Sequence, residues 1–346
     1  MVVPHVSVIV AARNEEANVS AAVESLAAQT VPVELIVVND CSTDRTGAIL
    51  AELSARLPQL RVVETRGLPA GWIGKNHALA RGVEEARAPW LLFTDADVRH
   101  APRALEKGLA LARETGADVV SFSPQQEMRT WWERAVIPLV YCRLAEEYPY
   151  HQVSDPQQPQ AAANGQWLLV RRDAYQTAGG HAAVRSEILE DVALARRLKR
   201  SGYRLHFALG ADVARTRMYR RFGEMWEGWS KNLFLLFQRR KRAVAAVAAG
   251  AALDGMAALL LLLGLAGMQG GGPPSSLIFL SGAGVIVFRH ARYAQALRRN
   301  CFPWWCIFYY TVGSILFALL LVSSAAKHLS GQPLKWKGRD YAVTAR

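Results

Sequence analysis

The stretch that most constrains this chain is Leu91-Leu92-Phe93-Thr94-Asp95-Ala96-Asp97-Val98, an apolar run that stops in two carboxylates one residue apart. Side chains on a strand alternate with period two, so Asp95 and Asp97 leave the strand end on the same side. Two hard oxygen donors placed in this way suit a divalent cation. A solvated turn or a helix cap is the commoner explanation of an isolated Asp-x-Asp, so the decision rests on what the rest of the chain sets around it.

Two earlier apolar runs end in similar clusters. Residues 6–12 are β-branched and continuously apolar, as in a parallel strand buried on both faces, and lead into Ala12-Arg13-Asn14-Glu15-Glu16. Residues 34–39 lead into Asn39-Asp40-Cys41-Ser42-Thr43-Asp44. Helical stretches at 18–29, 44–56, 75–86 and 102–115 alternate with strands at 61–64, 90–94 and 118–123. This alternation predicts an α/β fold with a mostly parallel sheet, in which ligands bind beyond the carboxyl ends of the strands. Three acidic or amide clusters then converge on one edge. Neither a Gly-x-Gly-x-x-Gly loop nor a Gly-Lys-Ser/Thr loop is present, which leaves a nucleotide held by carboxylates and a metal.

Residues 125–163 mix aromatic, charged and Pro/Gln-rich pieces, and 154–160 reads as a mobile loop. Order returns with a strand at 165–171, a short helix at 173–178, the turn Gly179-Gly180-His181, and a helix at 192–201 opened by Glu190-Asp191. Acidic residues in a first helical turn favour the macrodipole, which by itself accounts for that pair.

Charge divides the chain. Residues 1–195 carry a net −6 and residues 196–346 a net +18, within a total of +12 and a hydrophobic share of 51%. A soluble acidic part followed by a basic, apolar part fits attachment to a membrane with an anionic inner face. Nucleic-acid binding is the weaker reading, because the basic clusters at 239–242 and 289–299 flank long apolar runs, as cytoplasmic loops do. Residues 243–268 and 301–326 are each long enough to span a bilayer; 273–288 is short for it, and reads as re-entrant or interfacial. Three crossings put the basic tail 327–346 outside, while two strand the basic loop at 289–299, so the count stays open. Asp254 inside the first run is either a functional carboxylate or a helix–helix contact. Cys41, Cys142, Cys301 and Cys306 show neither zinc spacing nor a disulfide framework. The N-terminus shows no signal peptide, so the first domain is expected in the cytoplasm of a multi-pass cell-membrane protein.

On these motifs the chain resembles the family 2 glycosyltransferases, inverting enzymes of the GT-A fold. Asn14-Glu15-Glu16, Asn39-Asp40-Cys41-Ser42-Thr43-Asp44, Asp95-Ala96-Asp97, Gly179-Gly180 and Glu190-Asp191 match the family's motifs in order, with Asn39 standing where the family has Asp. The resemblance implies a nucleotide-sugar site at Ala12, Asn14, Glu15, Asn39, Asp40, Lys75 and Asp95. It also implies Mg²⁺ or Mn²⁺ on Asp97 with help from Asp95, and Asp191 as general base beside Glu190. Gly71-Trp72-Ile73-Gly74-Lys75-Asn76 and the ending Leu334–Tyr341 look like the membrane subgroup associated with hopanoid and carotenoid glycosylation. Relatives carry a Gln/Arg-x-x-Arg-Trp motif where this chain has Arg217-Met218-Tyr219-Arg220-Arg221-Phe222, an imperfect match. Arg217, Arg220 and Arg221 are diphosphate candidates, and Gly179, Gly180 and Trp226 line the expected acceptor side; an amphipathic interfacial helix explains the same arginines and aromatics.

The expected organisation is a catalytic domain over residues 1–240, with a donor half at about 1–123 and an acceptor half at about 124–240, then a membrane region over 241–346. The expected reaction moves a sugar from a nucleotide donor, UDP-linked, to an isoprenoid, carotenoid or hopanoid-like lipid. A polyprenyl-phosphate or glycolipid sugar transferase and a GT-A nucleotidyltransferase are the alternatives.

Overall fold

The computed structural model describes residues 4–268, 273–331 and 334–341. Contacts divide the chain into two compact units, one of residues 1–127 and 148–218, the other of 128–147 and 219–346.

The first unit is built on an eight-stranded sheet in the order β3-β2-β1-β4-β7-β6-β8-β5. Its strands are β1 (Val6–Ala12), β2 (Val33–Asn39), β3 (Leu60–Glu64), β4 (Trp90–Asp95), β5 (Val98–His100), β6 (Val119–Gln126), β7 (Leu168–Arg171) and β8 (Leu205–Thr216). The half formed by β3, β2, β1 and β4 is parallel throughout. Beyond it β7 pairs antiparallel with both β4 and β6, while β6 and β8 run parallel. Continuous apolar runs become inner strands because both faces are covered: Val8, Ile9, Val10, Leu91, Leu92 and Leu169 are all fully buried. Helices α1 (Val19–Ala27), α2 (Thr46–Arg56), α3 (Gly74–Glu85) and α4 (Ala104–Thr115) follow the strands as the alternation predicted. Gly116, in the left-handed conformation at φ +65°, ends α4.

The second unit holds a helix that the sequence reading did not anticipate, α5 (Trp131–Glu147). Its buried side chains lie all round it, from Trp132 through Val136, Leu139 and Cys142, so it shows no amphipathic period, and Pro138 sits inside it. Returning to the first unit, α6 (Tyr150–Ser154), α7 (Arg172–Thr177) and α8 (Glu190–Arg200) complete that unit's helices. Lys199 of α8 ties the end of α6 to the residues that follow it, its ammonium donating to the carbonyls of Val153 at 2.6 Å and Gln160 at 2.7 Å.

The remaining helices of the second unit are α9 (Phe222–Leu236), α10 (Lys241–Met268), α11 (Pro273–Arg299) and α12 (Tyr310–Leu329). Helix α9, which the sequence reading assigned to the catalytic domain, makes its contacts in this unit; Ser324 of α12 accepts the Phe234 N–H at 2.9 Å. Among the described residues two helical stretches are long and apolar enough to cross a membrane, Lys241–Met268 and Trp304–Leu329. The short apolar run at 273–288 does not stop there: α11 continues through the basic stretch to Arg299. Asp254 of α10 is buried and pairs with the guanidinium of Arg289 on α11, 2.8 Å from its Nη2, and with the hydroxyl of Ser314 on α12. Of the two sequence readings of Asp254, its surroundings are those of a helix–helix contact. The last described residues form a hairpin of β9 (Leu334–Trp336) and β10 (Arg339–Tyr341). Its two turn residues, Lys337 and Gly338, both have positive φ, the twist that a two-residue hairpin favours.

Candidate active site

The loops after β1 and β2 are zipped together. The Asn14 side chain accepts the Thr43 N–H at 2.8 Å, Ser42 Oγ accepts the Asn14 N–H at 3.1 Å, and Thr46 Oγ1 accepts the Glu15 N–H at 2.8 Å. Arg13 donates to the carbonyls of Asp40 at 2.7 Å and Cys41 at 3.0 Å. Asn14 and Cys41 both have φ near +53°, the left-handed turn these short connections need. Asp40 is buried with its carboxylate accepting the Thr65 hydroxyl at 3.0 Å, and its N–H donates to Ala12 at 2.8 Å. Asn39 donates to both oxygens of Glu64 on β3, at 3.0 and 2.9 Å. Asn14 and Asn39 therefore shape the ends of the strands, and the amide at 39 sustains a hydrogen bond to Glu64 that an ionised Asp could not donate.

The second gathering lies where α3 and α8 begin. Lys75 Nζ stands 2.7 Å from Asp95 Oδ1 and 2.8 Å from Glu190 Oε1. Two features bring these helix starts together. Asn76, fully buried, donates to the carbonyls of Val184 and Glu187, each at 2.9 Å, and the Ile73 N–H donates to Arg185 at 2.8 Å. Sequence reading singled out Lys75 and passed over Asn76, although its place in Gly-Trp-x-Gly-Lys-Asn was the available signal.

Asp191 follows Glu190 in the first turn of α8, and its Oδ2 accepts the Gly165 N–H at 2.7 Å. Burial, with repulsion from Glu190, pushes the Asp191 carboxyl up to about 7; Lys75 and the N–H groups of Gly165 and Val192 pull the other way. For Lys75, burial works against the charge, but Asp95, Glu190 and Asp191 together hold it well above its ordinary value. The cluster thus contains a fixed cation, two carboxylates bound to it, and a third carboxylate poised to exchange a proton near neutral pH. Gly165, which sequence reading placed only as the start of a strand, lies against all three helix-start side chains. A Cβ there would come within 3.2 Å of Lys75 Nζ and 3.3 Å of both Asp191 Oδ2 and Glu190 Oε1.

Asp97 is half-buried in the turn between β4 and β5, and its carbonyl accepts the Thr216 hydroxyl at 3.1 Å. Among the described residues no three His, Cys, Asp or Glu side chains form a metal cage. Asp95 and Asp97 supply the hard oxygens that Mg²⁺ or Mn²⁺ needs when its remaining ligands are substrate phosphates and water, so the donor set fits such an ion. His181 is buried, with its Nδ1 2.8 Å from the Tyr175 hydroxyl, and burial lowers it to about 3. Gly179 and Gly180 turn the chain with positive φ, and a Cβ on Gly180 would strike the Tyr175 ring at 2.6 Å. Arg217 is the last residue but one of the first unit. Arg220, Arg221 and Trp226 belong to the second, where the backbone N–H groups of both arginines donate to Glu224 and Trp226 packs 5.9 Å from Phe222.

A parallel half-sheet extended by antiparallel strands, with carboxylates at the ends of β2 and β4 and at the start of α8, defines a GT-A-type α/β domain. A solved structure of a mannosyltransferase from Pyrobaculum calidifontis, in complex with GDP-Man and Mn²⁺, shares this fold: it is 18% identical, with a TM-score of 0.58 over 94% of this chain and 87% of that one. The glycosyl transferase family 2 model matches residues 7–179, half of the chain, and the chain belongs to that family. A curated relative, the 4,4'-diaponeurosporenoate glycosyltransferase of Staphylococcus aureus (strain USA300), is 29% identical over 232 residues, which cover 66% of this chain and 60% of the relative. The chain thus matches less than two thirds of that relative's length.

Proposed function

We propose that this chain is a membrane-anchored inverting glycosyltransferase that moves a sugar from a UDP-linked donor to a hydroxyl or carboxyl of an isoprenoid-type lipid. The observation that carries this reading is the cluster of Lys75, Asp95, Glu190 and Asp191 at one end of a family 2 sheet. With a hydroxyl acceptor, Asp191, raised to about 7, takes the acceptor's proton as its oxygen attacks the anomeric carbon opposite the departing diphosphate; a carboxyl acceptor is already ionised and attacks without a base. Asp40 receives the nucleoside end of the donor. Asp97 and Asp95 would hold a divalent ion, which when bound would neutralise charge on the leaving diphosphate. Lys75 keeps Asp95 and Glu190 fixed, and Arg217, in the same unit, is the cationic candidate for diphosphate contact. Similarity to the diaponeurosporenoate glycosyltransferase supports a lipid acceptor, and the two apolar helical stretches support an anchor in the membrane.

The test is the full chain purified in detergent with Mg²⁺ or Mn²⁺, a UDP-sugar and a membrane-lipid extract, read by UDP release and by mass spectrometry of the lipid product. A glycosylated isoprenoid lipid supports the proposal. Absence of metal-dependent UDP release with every extract and sugar sinks it, and full turnover by Asp191→Asn would take the role of base away from Asp191.

A further inference from the structure

Asp191 is held from outside its own helix by a segment that no motif marks. Its Oδ1 accepts the N–H of the next residue in α8, Val192, at 2.8 Å, whereas Oδ2 accepts from Gly165 at 2.7 Å, 26 positions away in the chain. That second bond fixes the direction in which the carboxylate faces. Gly165 in turn is gripped from β6. The buried Ser121 hydroxyl accepts the Asn164 N–H at 2.9 Å and donates to the Trp167 carbonyl at 3.0 Å, bracketing Gly165 on both sides. The Asn164 side chain adds a turn bond to the Gln166 N–H at 3.0 Å.

The absence of a side chain at 165 matters as much as the N–H. Gly165 is not among the positive-φ glycines, so its backbone conformation admits an L residue. What weighs against one is contact: a Cβ would press on Lys75 Nζ, Asp191 Oδ2 and Glu190 Oε1 together, each closer than ordinary packing, so all three side chains would have to give by a few tenths of an ångström.

We infer that Gly165 is a positioning residue for the catalytic base, its N–H orienting Asp191 and its bare Cα leaving the room in which Lys75 and Glu190 close around that base. The inference rests on Asp191 being the base of the proposed reaction. Misplacing a reacting group by even an ångström costs catalysis far more than binding. Donor affinity, set elsewhere by Asp40 and the β4 carboxylates, is left unchanged.

The experiment compares wild type, Gly165→Ala and Ser121→Ala as full-length chains in detergent, measuring kcat, donor KM and thermal unfolding. Gly165→Ala is expected to lower kcat about 10- to 100-fold with donor KM within twofold. Ser121→Ala adds no atom near the site but slackens the segment, and is expected to lower kcat a few-fold with the same unchanged KM. Should Gly165→Ala fail to fold, Ser121→Ala carries the test. The inference is overturned if the folded variants keep kcat within twofold, or if kcat and donor KM deteriorate together in step with melting temperature. An inactive wild type would instead count against the proposed reaction, whereas a kcat defect confined to the variants of an active wild type isolates the role of Gly165.

Discussion

Lys75 Nζ lies 2.8 Å from Glu190 Oε1 while keeping a 2.7 Å contact with Asp95, so one ammonium joins the end of β4 to the start of α8. Removing it leaves two carboxylates facing one another without their cation. Losing one partner of a buried pair costs about 3–5 kcal/mol, and partial solvent access to this lysine trims that to about 2 kcal/mol. Lys75→Met is therefore expected to lower the melting temperature by several degrees. Because Lys75 also draws the Asp191 carboxyl downward, the same variant is expected to move the acid limb of kcat/KM to higher pH. Melting curves and a pH–rate profile check the two effects separately, and an unmoved acid limb would refute the electrostatic role.

Asp191 itself sets the wild-type profile. A base must be ionised to accept a proton, so kcat/KM is expected to rise through about pH 7 and level above it. Stability runs the other way. The folded carboxyl is raised above its unfolded value of 3.8, so between those pH values the folded state holds more proton than the unfolded, and stability falls as pH rises through that window. Asp191→Asn is expected to reduce kcat by about 10²–10⁴-fold while melting higher than wild type at pH 8. Differential scanning at pH 5 and pH 8 reads the second expectation, and a variant less stable than wild type at both would contradict it.

What was legible in the sequence follows from how local each signal was. The strands β1, β2 and β4 declared themselves because burial on both faces demands unbroken apolar runs, and Asp40, Asp95 and Asp97 follow those runs directly. Helix α5 was missed because burial all round erases the period that marks a helix. Asn76 and Gly165 act through partners about 110 and 26 positions away, and Gly165 carries no side-chain chemistry to read. Asn39 stood out as a departure from the family's Asp; only its pairing with Glu64 explains why an amide suits that place.

Gly180 meets two independent demands. Its φ of +52° lies where a side chain is strained, and the Tyr175 ring occupies the space that a Cβ would take, with its hydroxyl bonded to the buried His181. Backbone strain of about 1–3 kcal/mol and overpacking of similar size add up to about 2–6 kcal/mol for Gly180→Ala. Gly179→Ala bears comparable backbone strain at φ +80°, but its Cβ meets Ala183 Cβ at 3.0 Å and Arg197 Nη2 at 3.9 Å in place of a buried ring, so it is expected to cost less. Urea unfolding of the two variants ranks them, and the reverse order would show that the Tyr175 contact is not the governing one.

Asp254 and Arg289 offer the corresponding test in the second unit. The carboxylate is 4% exposed and takes both Arg289 and the Ser314 hydroxyl, so α10, α11 and α12 meet at one polar point among apolar side chains. Asp254→Ala strands the guanidinium in that setting, and breaking a buried pair from one side costs about 3–5 kcal/mol. Replacing both charges removes the stranded group, and apolar side chains of similar volume pack without the desolvation cost. The double variant Asp254→Leu/Arg289→Met is accordingly expected to recover most of the thermal stability that Asp254→Ala loses in detergent, with lipid-dependent UDP release following the same order. A double variant no better than the single one would mean that the ion pair itself, and not relief of a stranded charge, holds these three helices together.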